Sequence, residues 1–231
     1  MNRFRPLFGG VFVAATSLVA CGAASAAVFT TVPGSATQAP SPLDFPAITS
    51  AGNTGQTSLT SDAEDGIQLT VSASGGLGFI AASNNFGGGF GVAGNSSFDI
   101  SGTESLTLAF DQDIYLDQLS FNAFTETESA NIAIASLAIA VNVSGDETIT
   151  PSVSGVTVSR GDANDITLNF TAETFQLSAG DSIVITQGPG TGTSGTGPGI
   201  LVDSVSVSAV PEPGSMALLG LGTVFLIRRK H

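Results

Sequence analysis

The chain has 231 residues, 19 of them acidic and 6 basic, for a net charge of −13 at neutral pH. That balance repels nucleic acid and anionic lipid surfaces, which are held by clustered lysine and arginine. The only histidine is the final residue, His231, and the only cysteine is Cys21, so the central sequence holds no Ser-His-Asp triad, Cys-His pair, disulfide or histidine-bound zinc or haem.

At the N-terminus, Arg3 and Arg5 precede an apolar stretch at 7–20 and the small-residue run Ala23-Ala24-Ser25-Ala26. This is the form of a cleavable export signal over residues 1–26, with Ala24 and Ala26 as the small residues at the cut and cleavage expected after Ala26. A competing pattern, Leu18-Val19-Ala20-Cys21, resembles a bacterial lipobox and would make Cys21 a lipidation site. Residues 27–56 contain Pro33, Pro40, Pro42 and Pro46 and few bulky side chains. The expectation there is an extended arm, with one edge strand near 43–48.

From 57 to 209 the apolar pattern has period two. Ile67, Leu69, Val71 and Ala73 alternate with Gln68, Thr70, Ser72 and Ser74, and Leu106, Leu108 and Phe110 repeat the pattern, as do Ile166, Leu168 and Phe170. Such alternation gives a strand one apolar and one hydroxyl face. Two stretches change phase: Ile114 and Leu116 give way to Leu119 and Phe121, and Ile132 and Ile134 give way to Leu137, Ile139, Val141 and Val143. One inserted residue, a β-bulge, produces such a switch in each.

Turns are expected at Ser144-Gly145-Asp146, Arg160-Gly161-Asp162 and Ala179-Gly180-Asp181. The glycine-rich stretches at 75–94 and 188–199 are expected to be an irregular loop and a long hairpin loop. The fold predicted is all-β: two antiparallel sheets packed as a sandwich, jelly-roll-like, flanked by a signal helix and a short C-terminal membrane helix.

The last residues read Val210-Pro211-Glu212-Pro213, then an apolar run at 216–227, then Arg228-Arg229-Lys230. The order is a rigid polar motif outside a membrane, an apolar segment within it and a basic stop retained on the cytoplasmic face. Twelve apolar residues span only about 18 Å as a helix, against roughly 30 Å of hydrocarbon, which suits a transient anchor better than a permanent one. The tail over 210–231 resembles the bacterial PEP-CTERM sorting signal. That resemblance implies recognition by an exosortase-type membrane enzyme, export, and deployment at the cell envelope or in an extracellular polysaccharide matrix. It implies no particular activity for the 57–209 domain, for which no catalysis is expected.

Three alternatives have stated requirements. A carbohydrate- or calcium-binding module needs a sheet face carrying polar groups beside an exposed Phe or Tyr115. An ice-binding protein needs a flat array of regularly spaced threonines. A glycosidase needs two buried carboxylates about 5–10 Å apart. Among the acidic clusters, Asp162, Asn164 and Asp165 are the candidate ligands for one structural calcium, because hard cations take several oxygens converging from a turn. Gly89-Phe90-Gly91-Val92-Ala93-Gly94 has dinucleotide-site spacing but no helical run after it, and Arg160-Gly161-Asp162 reads as a turn, not an adhesion motif.

Overall fold

A computed structural model describes residues 26–30, 52–53, 56–80, 89–93, 100, 102–122, 128–161, 165–171, 174–189 and 200–211. The strands are β1 (Ala26–Thr30), β2 (Gly52–Asn53), β3 (Ser58–Thr60), β4 (Leu69–Ala73), β5 (Leu77–Ile80), β6 (Gly89–Val92), β7 (Ser105–Phe110) and β8 (Ile114–Asn122). They continue with β9 (Ser129–Ile134), β10 (Ile139–Ser144), β11 (Ile149–Thr150), β12 (Val156–Arg160), β13 (Ile166–Phe170), β14 (Gln176–Leu177), β15 (Ser182–Gln187) and β16 (Leu201–Ala209). Helix among the described residues is limited to a 3-10 turn at Ala135–Leu137 and 3-10 geometry at Thr174.

The strands form two antiparallel sheets. One runs β12-β13-β8-β16-β6-β5-β2, with β1 added to β16 and β14 to β8; the other runs β11-β10-β9-β15-β7-β4-β3. Alternation explains both. Ile114, Leu116, Leu119 and Phe121 of β8 are buried while Tyr115, Gln118 and Ser120 are half-exposed, and each such burial contributes roughly 1.5–3 kcal/mol. Both sheets turn their apolar sides into one shared cluster, where the ring of Phe29 on β1 lies 6.3 Å from that of Phe110 on β7.

The phase change in β8 is a bulge. Leu116 pairs with Val207 and Gln118 with Ser206, which leaves Asp117 as the extra residue. The second phase change is not a bulge. β9 and β10 are the two arms of a hairpin, with Ile134 opposite Ile139. The 3-10 turn between them closes because Ala138 adopts a left-handed φ of 53°. The chain is strand on both sides of the turn.

Two expected irregular segments join the sheets. Ala26–Thr30, largely within the stretch read as an arm, pairs residue for residue with Ser204–Ser208 and buries Ala27 and Phe29. Within the stretch read as a glycine-rich loop, β5 and β6 pair from Leu77–Val92 to Ile80–Gly89. The glycines there serve close approach: a Cβ on Gly89 would lie 2.7 Å from the Val202 carbonyl oxygen and 2.9 Å from the Leu201 Cβ. Gly89→Ala is therefore expected to push β6 off β16 at a cost of about 1–3 kcal/mol, read as a lower midpoint in urea. An unchanged midpoint would mean that the contact between β6 and β16 is not tight.

The expected turns carry their own fastenings. At Ser144-Gly145-Asp146, the Asp146 carboxylate accepts from the Ser144 hydroxyl and the Thr148 N–H, and these bonds hold its pKa below the ordinary value. At Ala179-Gly180-Asp181, Asp181 accepts from the Ser178 N–H at 2.9 Å, and Gly180 takes a φ of 84°. Arg160 ends β12; its guanidinium donates to the Gly145 carbonyl and lies 4.0 Å from Glu147, tying an edge of one sheet to a turn of the other.

Candidate functional site

Two regions carry chemistry. The first is the end of the domain from which the C-terminal tail leaves. β16 stays paired with β8 through Ala209, where it faces Ile114, and the next residue, Val210, donates its N–H to the Asp113 carbonyl at 3.3 Å. Aspartates fasten the loops around this exit. The Asp113 carboxylate accepts from the Ala179 N–H at 2.9 Å, and the Asp111 carboxylate from the Gln68 N–H at 2.8 Å. Gly180 N–H donates to the Phe110 carbonyl at 2.9 Å. Because Ser208 also faces Ala26 across the β1 pairing, the start of β1 lies beside the start of the tail. No spacer separates the sheet from the exposed Pro211.

A family model described as the PEP-CTERM protein-sorting motif matches residues 209–230. The chain carries a PEP-CTERM protein-sorting motif. A PEP-CTERM tail is read by an exosortase, a membrane enzyme, and implies export with membrane-associated processing. The match begins at the residue where β16 ends, so the last described strand runs directly into the sorting motif. No curated protein and no solved structure matches the chain.

The second region is the outer face of the nine-stranded sheet. The registers of β12, β13, β8 and β16 align Thr157, Asn169, Gln118 and Ser206 in one row across the strands, and Ser159, Thr167, Ser120 and Ser204 in the next. Side chains tie the rows together. Gln118 Nε2 donates to Asn169 Oδ1 at 3.0 Å, the Ser120 and Thr167 hydroxyls are 3.1 Å apart, and Asn169 Nδ2 donates to Ser159 Oγ at 3.4 Å. Val28, 41% exposed, extends the first row on β1, while half-exposed Tyr115 and Ser208 form the next pair along β8 and β16. Apart from Val28 the two rows carry hydroxyls and amides, and neither carries a charge.

Charge enters this sheet at its bulges. Further along the same pairing β16 has an extra residue of its own: Val202 pairs with Phe121 and Ser204 with Ser120, so Asp203 is left over. Burial raises the Asp117 pKa, opposed by the Ser208 hydroxyl, which donates at 3.4 Å. At Asp203 burial pushes the carboxyl up to about 6. The Asp165 carboxylate adds to that rise, and hydrogen bonds with Ser204 and Asn122 oppose it. A buried carboxyl under the influence of a second carboxylate is a site of stored instability at neutral pH.

The expected site residues divide accordingly. Ala26 opens β1, Val210 and Pro211 are the last described residues, and Asp165, the one described member of the expected calcium set, acts electrostatically on Asp203. Ala24, Cys21, Asp162, Asn164, Glu212, Pro213, Arg228, Arg229 and Lys230 lie outside the described residues, as does the apolar run 216–227. Among the described residues no helix is long and apolar enough to cross a membrane, and no three His, Cys, Asp or Glu side chains converge on a possible metal position. The Asp165–Asp203 pairing was hidden from the sequence by 38 positions of separation.

Proposed function

We propose that this protein is a non-catalytic component of the cell envelope or of an extracellular polysaccharide matrix, sorted and processed by an exosortase through residues 210–231. The observation that carries the reading is the sorting-motif match at 209–230, contiguous with the last strand of an acidic β-domain. Pro211 and Pro213 fix an extended backbone that a peptidase can grip. Changing Pro211, Glu212 and Pro213 together to alanine is expected to leave an unprocessed, membrane-bound precursor in a host with an exosortase, seen by fractionation and intact mass. Unchanged processing and release would remove the mechanism.

We infer further that the two sheets form a jelly-roll sandwich. The contact of Phe29 with Phe110 supports face-to-face packing. The orders β6-β16-β8-β13 and β7-β15-β9-β10 support two interleaved Greek keys, because the chain crosses between sheets at each step from β6 to β9 and again through β15 to β16.

A second reading, binding of a neutral polysaccharide, is favoured by the uncharged rows beside Tyr115. Their donors and acceptors match sugar hydroxyls, and one aromatic ring offers a stacking surface. The double variant Gln118→Ala, Tyr115→Ala should weaken glycan binding at least about ten-fold, the equivalent of about 1.4 kcal/mol. Retained affinity, measured by calorimetry against isolated matrix polysaccharide, would exclude this face. Hydrolysis of the same glycan at neutral pH would overturn the non-catalytic reading.

A further inference from the structure

We propose that β1 is exchangeable between molecules: the slot beside β16 that takes Ala26–Thr30 of its own chain also takes that segment of a second copy. Among the described residues β1 pairs with β16 and with no other strand. It is held by five register pairs, Ala26–Ser208 to Thr30–Ser204, and by the burial of Ala27 and Phe29. An N-terminal strand attached in this way is a separable part, and the same pairing made in trans is a strand swap.

The covalent connection leaves ample reach. The next strand, β2, lies at the far edge of the same sheet, separated from β16 by β6 and β5. Three strand spacings amount to only about 15 Å, whereas residues 31–51, fully extended, reach on the order of 70 Å. Pro33, Pro40, Pro42 and Pro46 oppose regular pairing within that connection. A molecule can therefore hand β1 to a neighbour without disturbing β2 or the rest of its sheets.

The position of the expected export cut supplies an occasion. The bond between Ala26 and Ala27 lies inside the paired strand, and Ala27 is fully buried. A peptidase takes its substrate as free extended backbone, so β1 must be off β16 when the cut is made. Among the described strands β16 is also the last to leave the export channel. Each molecule thus presents an open slot while it is held at the membrane among copies of itself, a step that rests on the export reading above.

Contacts made in cis and in trans are the same, so concentration decides between them. A tether of this length gives the chain's own β1 an effective concentration on the order of 1 mM. Exchange is therefore negligible in dilute solution and substantial where copies are crowded.

The test uses two chains purified after export, one with Val28→Cys and the other with Ser206→Cys, each expressed with Cys21→Ser so that no molecule retaining its signal carries a third thiol. These positions face each other in the register, at a separation a disulfide can bridge. The double variant in one chain should close an intramolecular disulfide. An equimolar mixture of the single variants, refolded at about 1 mM and oxidised, should give the mixed disulfide dimer, and refolding at about 1 μM should lower its yield more than roughly ten-fold. A control mixture of Val28→Cys with Thr157→Cys should give far less. Failure of the double variant to close, or absence of the mixed dimer at both concentrations, or equal yield from the control, would each overturn the proposal. No exosortase takes part in this assay, so its failure is distinct from failure of the sorting reading.

Discussion

Asp203→Asn is expected to stabilise the folded domain by about 3 kcal/mol at pH 7, a large gain from one side chain. Burial, aided by Asp165, lifts the Asp203 carboxyl from 3.8 to about 6 in the folded state. Above about pH 6 the group is ionised both folded and unfolded, and the folded state bears the full cost of a buried charge. As pH falls from about 6 to 3.8 the folded state takes up a proton that the unfolded state does not, so the cost fades. Below 3.8 both states are protonated and it is gone. The stabilisation of the variant should accordingly be greatest at neutral pH and vanish near pH 4. Asparagine keeps an acceptor for the hydrogen bonds of Ser204 and Asn122. Urea denaturation of wild type and variant at pH 4, 5, 6 and 7 checks this, and a constant difference across that range would refute the assignment.

Phe29→Ala should cost about 3 kcal/mol or more, as for other buried phenylalanines, and lower the melting temperature by roughly 10 °C. The neighbouring Val28→Ala, on the outward side of the same strand, should change stability by no more than about 0.5 kcal/mol. The contrast follows from exposures of 1% and 41%. Calorimetry on the two variants measures it. Equal, small effects would mean that β1 does not seat against the Phe110 ring.

Period-two patterning made the long strands legible, because residues on β7 and β13 alternate strictly between buried and half-exposed, and those on β8 alternate on either side of its bulge. It also gave the bulge at Asp117, since an apolar strand with one face buried cannot change phase without an extra residue. The hairpin between β9 and β10 was not legible. Its turn uses Ala135, Ser136, Leu137 and Ala138, none a strong turn former, and Ala138 bears the left-handed backbone that glycine would take more readily. β6 escaped notice because glycine is a poor strand former in isolation and is favoured here by the closeness of the Val202 backbone, which only the fold reveals. β1 was concealed by its place between a signal and a proline-rich stretch. The sorting motif lies within consecutive residues and could be read directly, whereas Asp203 meets Asp165 only through the order of the sheet.

The paired bulges bear on what lengths this sheet tolerates. In most strands, loss of a single residue turns every later side chain to the opposite face. At Asp117 the reverse holds: without it, Leu116 and Gln118 become consecutive opposite Val207 and Ser206, and the in-out sequence runs on unbroken. The same is true of Asp203, whose removal makes Val202 and Ser204 consecutive opposite Phe121 and Ser120. These aspartates are insertions that two neighbouring strands have absorbed. They mark the two points where β8 and β16 can each be shortened by one residue while the greasy and hydroxylated sides of the sheet keep their places.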